Sequence, residues 1–158
     1  MTWADRLLRL AVGDPKHEVV EQLGILYQRE ADQAERLAAA AAQAPTAGAE
    51  RDLHALATER GEVAAELARA LKERGGAVAD AAGTKATPNG ATQNHWARLV
   101  VALEACRTAR AQLARTSPHL LELDPLLADL IAALDRSHYV ESVALRTLIA
   151  RADPQALN

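Results

Sequence analysis

Asp135, His138 and Glu141, in the stretch LDRSHYVES, stand three residues apart. On a helix this spacing lines an acid, an imidazole and a second acid along one flank. Such a trio could ligate a metal, or it could join a buried polar layer completed by other helices. A carboxylate di-metal centre in a helical bundle takes roughly four carboxylates and two histidines, usually with Glu-x-x-His on two helices. The residues available for it are Glu30, Glu59, Glu62, Glu104, Asp135 and His138, with iron or manganese as the metal. The fit is incomplete, because Glu59-x-x-Glu62 brings no histidine and only Asp135-x-x-His138 brings one.

The cations decide between the two chemistries. Arg60, Arg107 and Arg110 recur at helical spacing within otherwise apolar stripes. A guanidinium stays protonated and cannot ligate a metal, but it pairs well with carboxylates. The pattern therefore predicts a buried polar layer of Glu30, Glu59, Arg60, Arg107, Arg110, His138 and Glu141 in preference to a metal centre. Isolated charges at such positions would cost several kcal/mol each, so they need one another. Other chemistries find less support. No His-x-x-x-His pair exists, and no Gly-rich loop follows a strand. Neither Ser117 nor Ser142 has an ordered acid–base pair. Cys106, the only cysteine, precludes an intrachain disulfide and reads as a buried side chain at the edge of an apolar stripe. No catalytic residue is assigned.

The elements that position these side chains are helices. The chain has 158 residues, no Phe, two Trp and two Tyr, and an Ala- and Leu-rich apolar fraction that suits close helix packing. Pro and Gly divide it into long periodic segments at about 15–43, 49–74, 93–115 and 125–151. Asp14-Pro15 and Asp124-Pro125 read as caps followed by proline at the first helical position, and Gly75-Gly76 as a helix stop. Helices of this length, about 35–45 Å, imply a bundle. The first and third links are short, so helices one and two, and helices three and four, form antiparallel hairpins. The middle link is long enough to run the length of the bundle, which is ferritin-like connectivity. The expectation is an all-α, ferritin-like four-helix bundle over 15–151, with a long crossover between helices two and three. A short amphipathic helix precedes it within 1–14, and 152–158 forms a tail.

Glu59, Arg60, Val63, Ala64, Glu66, Leu67 and Gly75-Gly76, within LATERGEVAAELARALKERGG at 56–76, resemble the second helix of a bacterial ferritin-like four-helix-bundle family of unknown function. HWARL at 95–99 is similar to that family's tryptophan-containing entry to helix three, and His138 falls where the family tends to place a histidine. The resemblance covers about 16–150 and implies the bundle fold and a stress-associated role. The chain departs from the family at EACRTAR, where Arg107 and Arg110 replace acids, which weakens an implied metal function.

The net charge of −3 and the lack of a basic tail speak against nucleic acid as partner. No apolar run approaches the roughly 20 residues of a membrane span. Asp5, Arg6 and Arg9 interrupt the apolar region at the N-terminus, so no signal peptide is expected there and the expected compartment is the cytoplasm. Trp3, Leu7 and Leu10 give the segment 2–12 an apolar side that needs cover, and a homodimer is the expected way to supply it. The functional expectation is a non-enzymatic bundle acting through protein association, with a degenerate iron- or manganese-binding protein or oxidase as the alternative.

Overall fold

Three of the long helices begin where a short polar side chain satisfies a free backbone N–H. The computed structural model of the chain describes residues 14–78 and 94–152. Helix α1 spans Pro15–Ala41, α2 spans Ala47–Glu73, α3 spans His95–Leu123 and α4 spans Ala128–Ala152. Asp14 accepts from the Lys16 N–H at 3.1 Å, with Pro15 locked into the first helical position. Thr46 caps α2 through the Ala49 N–H, and Asn94 caps α3 through the Ala97 N–H. Helix α2 ends in a Schellman turn: Gly76 donates to the Leu71 carbonyl and Gly75 to that of Lys72. Gly75 has φ +81°, a conformation that a Cβ would penalise.

The third helix runs further than its expected end near residue 115. It passes through Ser117-Pro118 and stops only at Leu123. A proline inside a helix removes one ladder hydrogen bond. Here Leu120 is fully buried, and Leu121 and Leu123 pack beside it, so burial offsets the loss. Asp124 is the real break. Its side chain accepts from the Leu126 N–H at 3.1 Å and opens a single 3-10 turn, Pro125–Leu127, before α4.

Four helices and no strands make up the described residues, an all-α bundle. Helix α1 packs along α2, and α3 along α4; α1 also borders α3, and α2 borders α4. Two apolar clusters fill the interior. One joins Leu23 and Leu26, Leu67 and Leu71, Leu113 and Leu120, and Ile131 and Leu134. The other joins Leu37, Leu53 and Leu56, Leu99 and Leu103, and Leu145 and Leu148. The start of α2 and the start of α3 thus share one pole, and their ends share the other. Arg74 at the end of α2 accordingly hydrogen-bonds Asp124 at the end of α3, at 2.5 Å. Helices α2 and α3 are parallel, and each is antiparallel to its hairpin partner. The expected short helix at 2–12, most of the link between α2 and α3, and nearly all of the tail lie outside the described residues. Among the described residues no helix is long and apolar enough to cross a membrane.

Candidate functional site

The two apolar clusters leave a gap at the middle of the bundle, and polar side chains fill it. On α1 the inward stripe Val19, Leu23, Leu26 continues as Glu30 and Gln33 before returning to Leu37. On α2 the same happens at Arg60, and on α4 at His138 and Glu141. All five side chains are buried, and Arg60 is among the most enclosed in the molecule, at 1% exposure.

Arg60 is the hub of a hydrogen-bonded chain. Its Nε donates to Glu141 Oε2, and its Nη1 donates to Glu30 Oε2 at 2.6 Å. The other oxygen of Glu30 meets His138 Nε2 at 2.8 Å, and the other oxygen of Glu141 accepts from Gln33 Nε2 at 2.6 Å. Gln33 also donates to the Ala102 carbonyl at 3.1 Å, which ties α3 into the layer, and accepts from Arg36 on its outer side. Cys106 of α3 donates its S–H to the His138 carbonyl at 3.2 Å. Within the layer two buried nitrogens, Arg60 Nη2 and His138 Nδ1, have no hydrogen-bond partner among the described residues.

Electrostatics follow from the geometry. Burial alone would raise the Glu30 carboxyl's pKa, but the His138 hydrogen bond and the Arg60 charge overcome it and hold the group below its ordinary value. Burial likewise works against the Arg60 cation, and the Glu141 and Glu30 charges more than restore it. The Cys106 thiol is pushed up to about 12, chiefly by burial and secondarily by the Glu141 charge. A thiol in that state is a small packing group rather than a nucleophile.

The remaining candidates lie elsewhere. Arg107 is exposed and pairs with Glu104 on its own helix. Arg110 reaches outward to Asp135 at 2.9 Å and stacks over the Tyr139 ring. Both arginines therefore stand outside the buried layer, a correction to the sequence-based expectation. Helix α3 turns Ala102 and Cys106 inward instead, because its inner face follows Leu99, Leu103, Cys106 and Leu113 and leaves Arg107 and Arg110 beside it. Glu59 is half-buried at the margin and accepts from Ser137 Oγ at 2.8 Å. Of the six residues considered for a metal, only Glu30 and His138 touch. Glu62 and Glu104 are exposed, and Asp135 is engaged by Arg110. Among the described residues no group of three or more His, Cys, Asp or Glu is arranged to hold a metal ion. Gln33 was missing from the expected layer although it occupies the α1 stripe between Glu30 and Leu37. A polar residue at that spacing was the available signal.

Beside the layer, a groove of about 340 Å³ opens between α1 and α3, with Glu30, Cys106, His138 and Glu141 at its floor.

No family model, curated protein or solved structure matches the chain.

Proposed function

We propose that the chain is a non-enzymatic, ferritin-like bundle that acts in the cytoplasm through association with other proteins and with a second copy of itself, in a stress-linked role. The observation that carries the reading is Arg60. Its guanidinium lies between the Glu30 and Glu141 carboxylates at mid-bundle, where a carboxylate centre would need its cation. A fixed side-chain cation bridges two acids without redox or Lewis-acid chemistry. The parallel directions of α2 and α3 support a ferritin-like crossover, because the link between them joins opposite poles. A link of that length can span at most about 50 Å, against about 40 Å for a helix of 27 residues. Tyr139, Val140 and Val143, exposed on the outer side of α4, support association. The stress link rests on the resemblance at 56–76 and 95–99.

The alternative, a degenerate iron- or manganese-binding protein or oxidase, draws on the Glu30–His138 contact at the centre of the bundle. Native mass spectrometry of the full chain, purified without chelator, tests both readings. The expected species is a dimer carrying no stoichiometric iron or manganese. Stoichiometric metal that disappears in Glu30→Ala would establish the alternative, and a monomer at micromolar concentration would overturn the dimer.

A further inference from the structure

Helix α4 turns one face to solvent along its whole length. Ala132, Arg136, Val140, Val143 and Thr147 are all exposed, at steps of three and four that keep them on one line. Tyr139 adjoins that line, and Tyr139, Val140 and Val143 are 44–55% exposed. The other large apolar side chains exposed among the described residues, Ile25, Trp96, Val101 and Leu126, are scattered over α1, α3 and the 3-10 turn. Single exposed hydrophobes need no explanation, whereas a cluster rimmed by charge marks an interaction surface.

The charges around the cluster say what fits it. Asp129 and Arg151 stand 22 residues apart, and Asp135 and Arg146 stand 11 apart, close to six and three full helical turns. Each acid therefore shares a flank of α4 with an arginine at the other end of the cluster. On both flanks the acid precedes Tyr139 and the arginine follows Val143. Most of these charges are poorly satisfied within the chain. The side chains of Asp129, Arg136 and Arg146 make no ion pair or hydrogen bond among the described residues. Arg151 only approaches Asp52, at 3.9 Å, and is 70% exposed. Asp135 is held by Arg110. Two copies of such a helix, laid antiparallel about a twofold axis near Val140, bring the acidic end of each onto the basic end of the other. A parallel pairing would set like charges together.

We infer, on the reading that the chain self-associates, that two copies meet through the outer face of α4, antiparallel about an axis near Val140. Val140 and Val143 form the centre, and Asp129 faces the partner's Arg151. Arg136 lays its aliphatic stem along the partner's Val143 and keeps its guanidinium in water.

Size-exclusion chromatography with light scattering, on the full chain and on variants at exposed positions of α4, tests this. Val143→Glu should raise the dimer dissociation constant about tenfold or more. Asp129→Arg should weaken the dimer severalfold. Adding Arg151→Asp to it should restore the dimer, because the exchange rebuilds the same pair with its signs reversed. Val140→Cys should give a disulfide-linked dimer when treated with oxidised glutathione, whereas Ala65→Cys on the exposed side of α2 should not. A dimer indifferent to Val143→Glu, a charge exchange that fails to restore association, or cross-linking through position 65 and not position 140 would overturn this interface while leaving self-association intact. A full chain that is monomeric at micromolar concentration would overturn both.

Discussion

Arg60 and Arg110 both meet carboxylates across helix boundaries, yet they inhabit different solvents. The Arg60 side chain is 1% exposed and its two acid partners 2% each, whereas Arg110 and Asp135 are 42% and 49% exposed. At the surface, water and salt already stabilise both charges, so the pair adds little. In the layer, each charge has surrendered its hydration and relies on the others. That does not make the buried network a strong source of stability, because desolvation offsets much of its attraction. It makes the network expensive to break in part.

Removing the hub should have the largest effect. Arg60→Ala leaves Glu30 and Glu141 buried and facing each other without a cation, and is expected to cost about 3–5 kcal/mol in urea unfolding. That is a large share of the roughly 5–15 kcal/mol available to a domain. A loss no larger than that of a surface arginine would break the contrast drawn above.

Acid should act next, through Glu30. Folded, this carboxyl is more acidic than in the unfolded chain, where it titrates near about pH 4.3. Its contribution is complete above the unfolded value. It drains away as pH falls through the lower folded value, since the unfolded chain takes up the proton first. Melting temperature should therefore fall on acidification below about pH 4, and Glu30→Gln, weaker at neutral pH, should fall less steeply over that interval. Parallel slopes for the two proteins would assign the acid sensitivity to other carboxylates.

The smallest effect belongs to the surface pair. Asp135 is also held below its ordinary value, by the Arg110 hydrogen bond, but it remains solvated. Arg110→Ala should leave the thermal melt within replicate scatter at moderate salt. A clear loss would mean that stacking over Tyr139, 5.3 Å from the ring centre, contributes more than the exposure suggests.

Legibility in the sequence differed by helix, for physical reasons. The α1 stripe was readable because large aliphatic residues flank Glu30 on both sides and fix the phase. The α2 and α4 stripes were readable for the same reason, so Glu30, Arg60, His138 and Glu141 could be recognised as inward-facing. On α3 the inner face is built partly from Ala102 and Cys106, whose small side chains give a weak periodic signal. Arg107 and Arg110 were placed on the wrong side of that stripe as a result. The end of α3 was misread because Ser117-Pro118 looks like punctuation, and only the tertiary burial of Leu120 shows why the helix continues. The groove was not legible at all, since it arises from how α1 and α3 pack and not from any local motif.

Cys106 offers the bundle a built-in clock. With burial pushing its thiol up to about 12, the reactive thiolate is far scarcer at neutral pH than at an ordinary cysteine. The sulfur is also sealed beneath the His138 carbonyl at the level of the polar layer. A maleimide therefore reaches it through molecules whose α3–α4 contact has opened. When closing outpaces labelling, the rate of modification measures the population of that opened form, and hence its free energy, at a single defined point in the core.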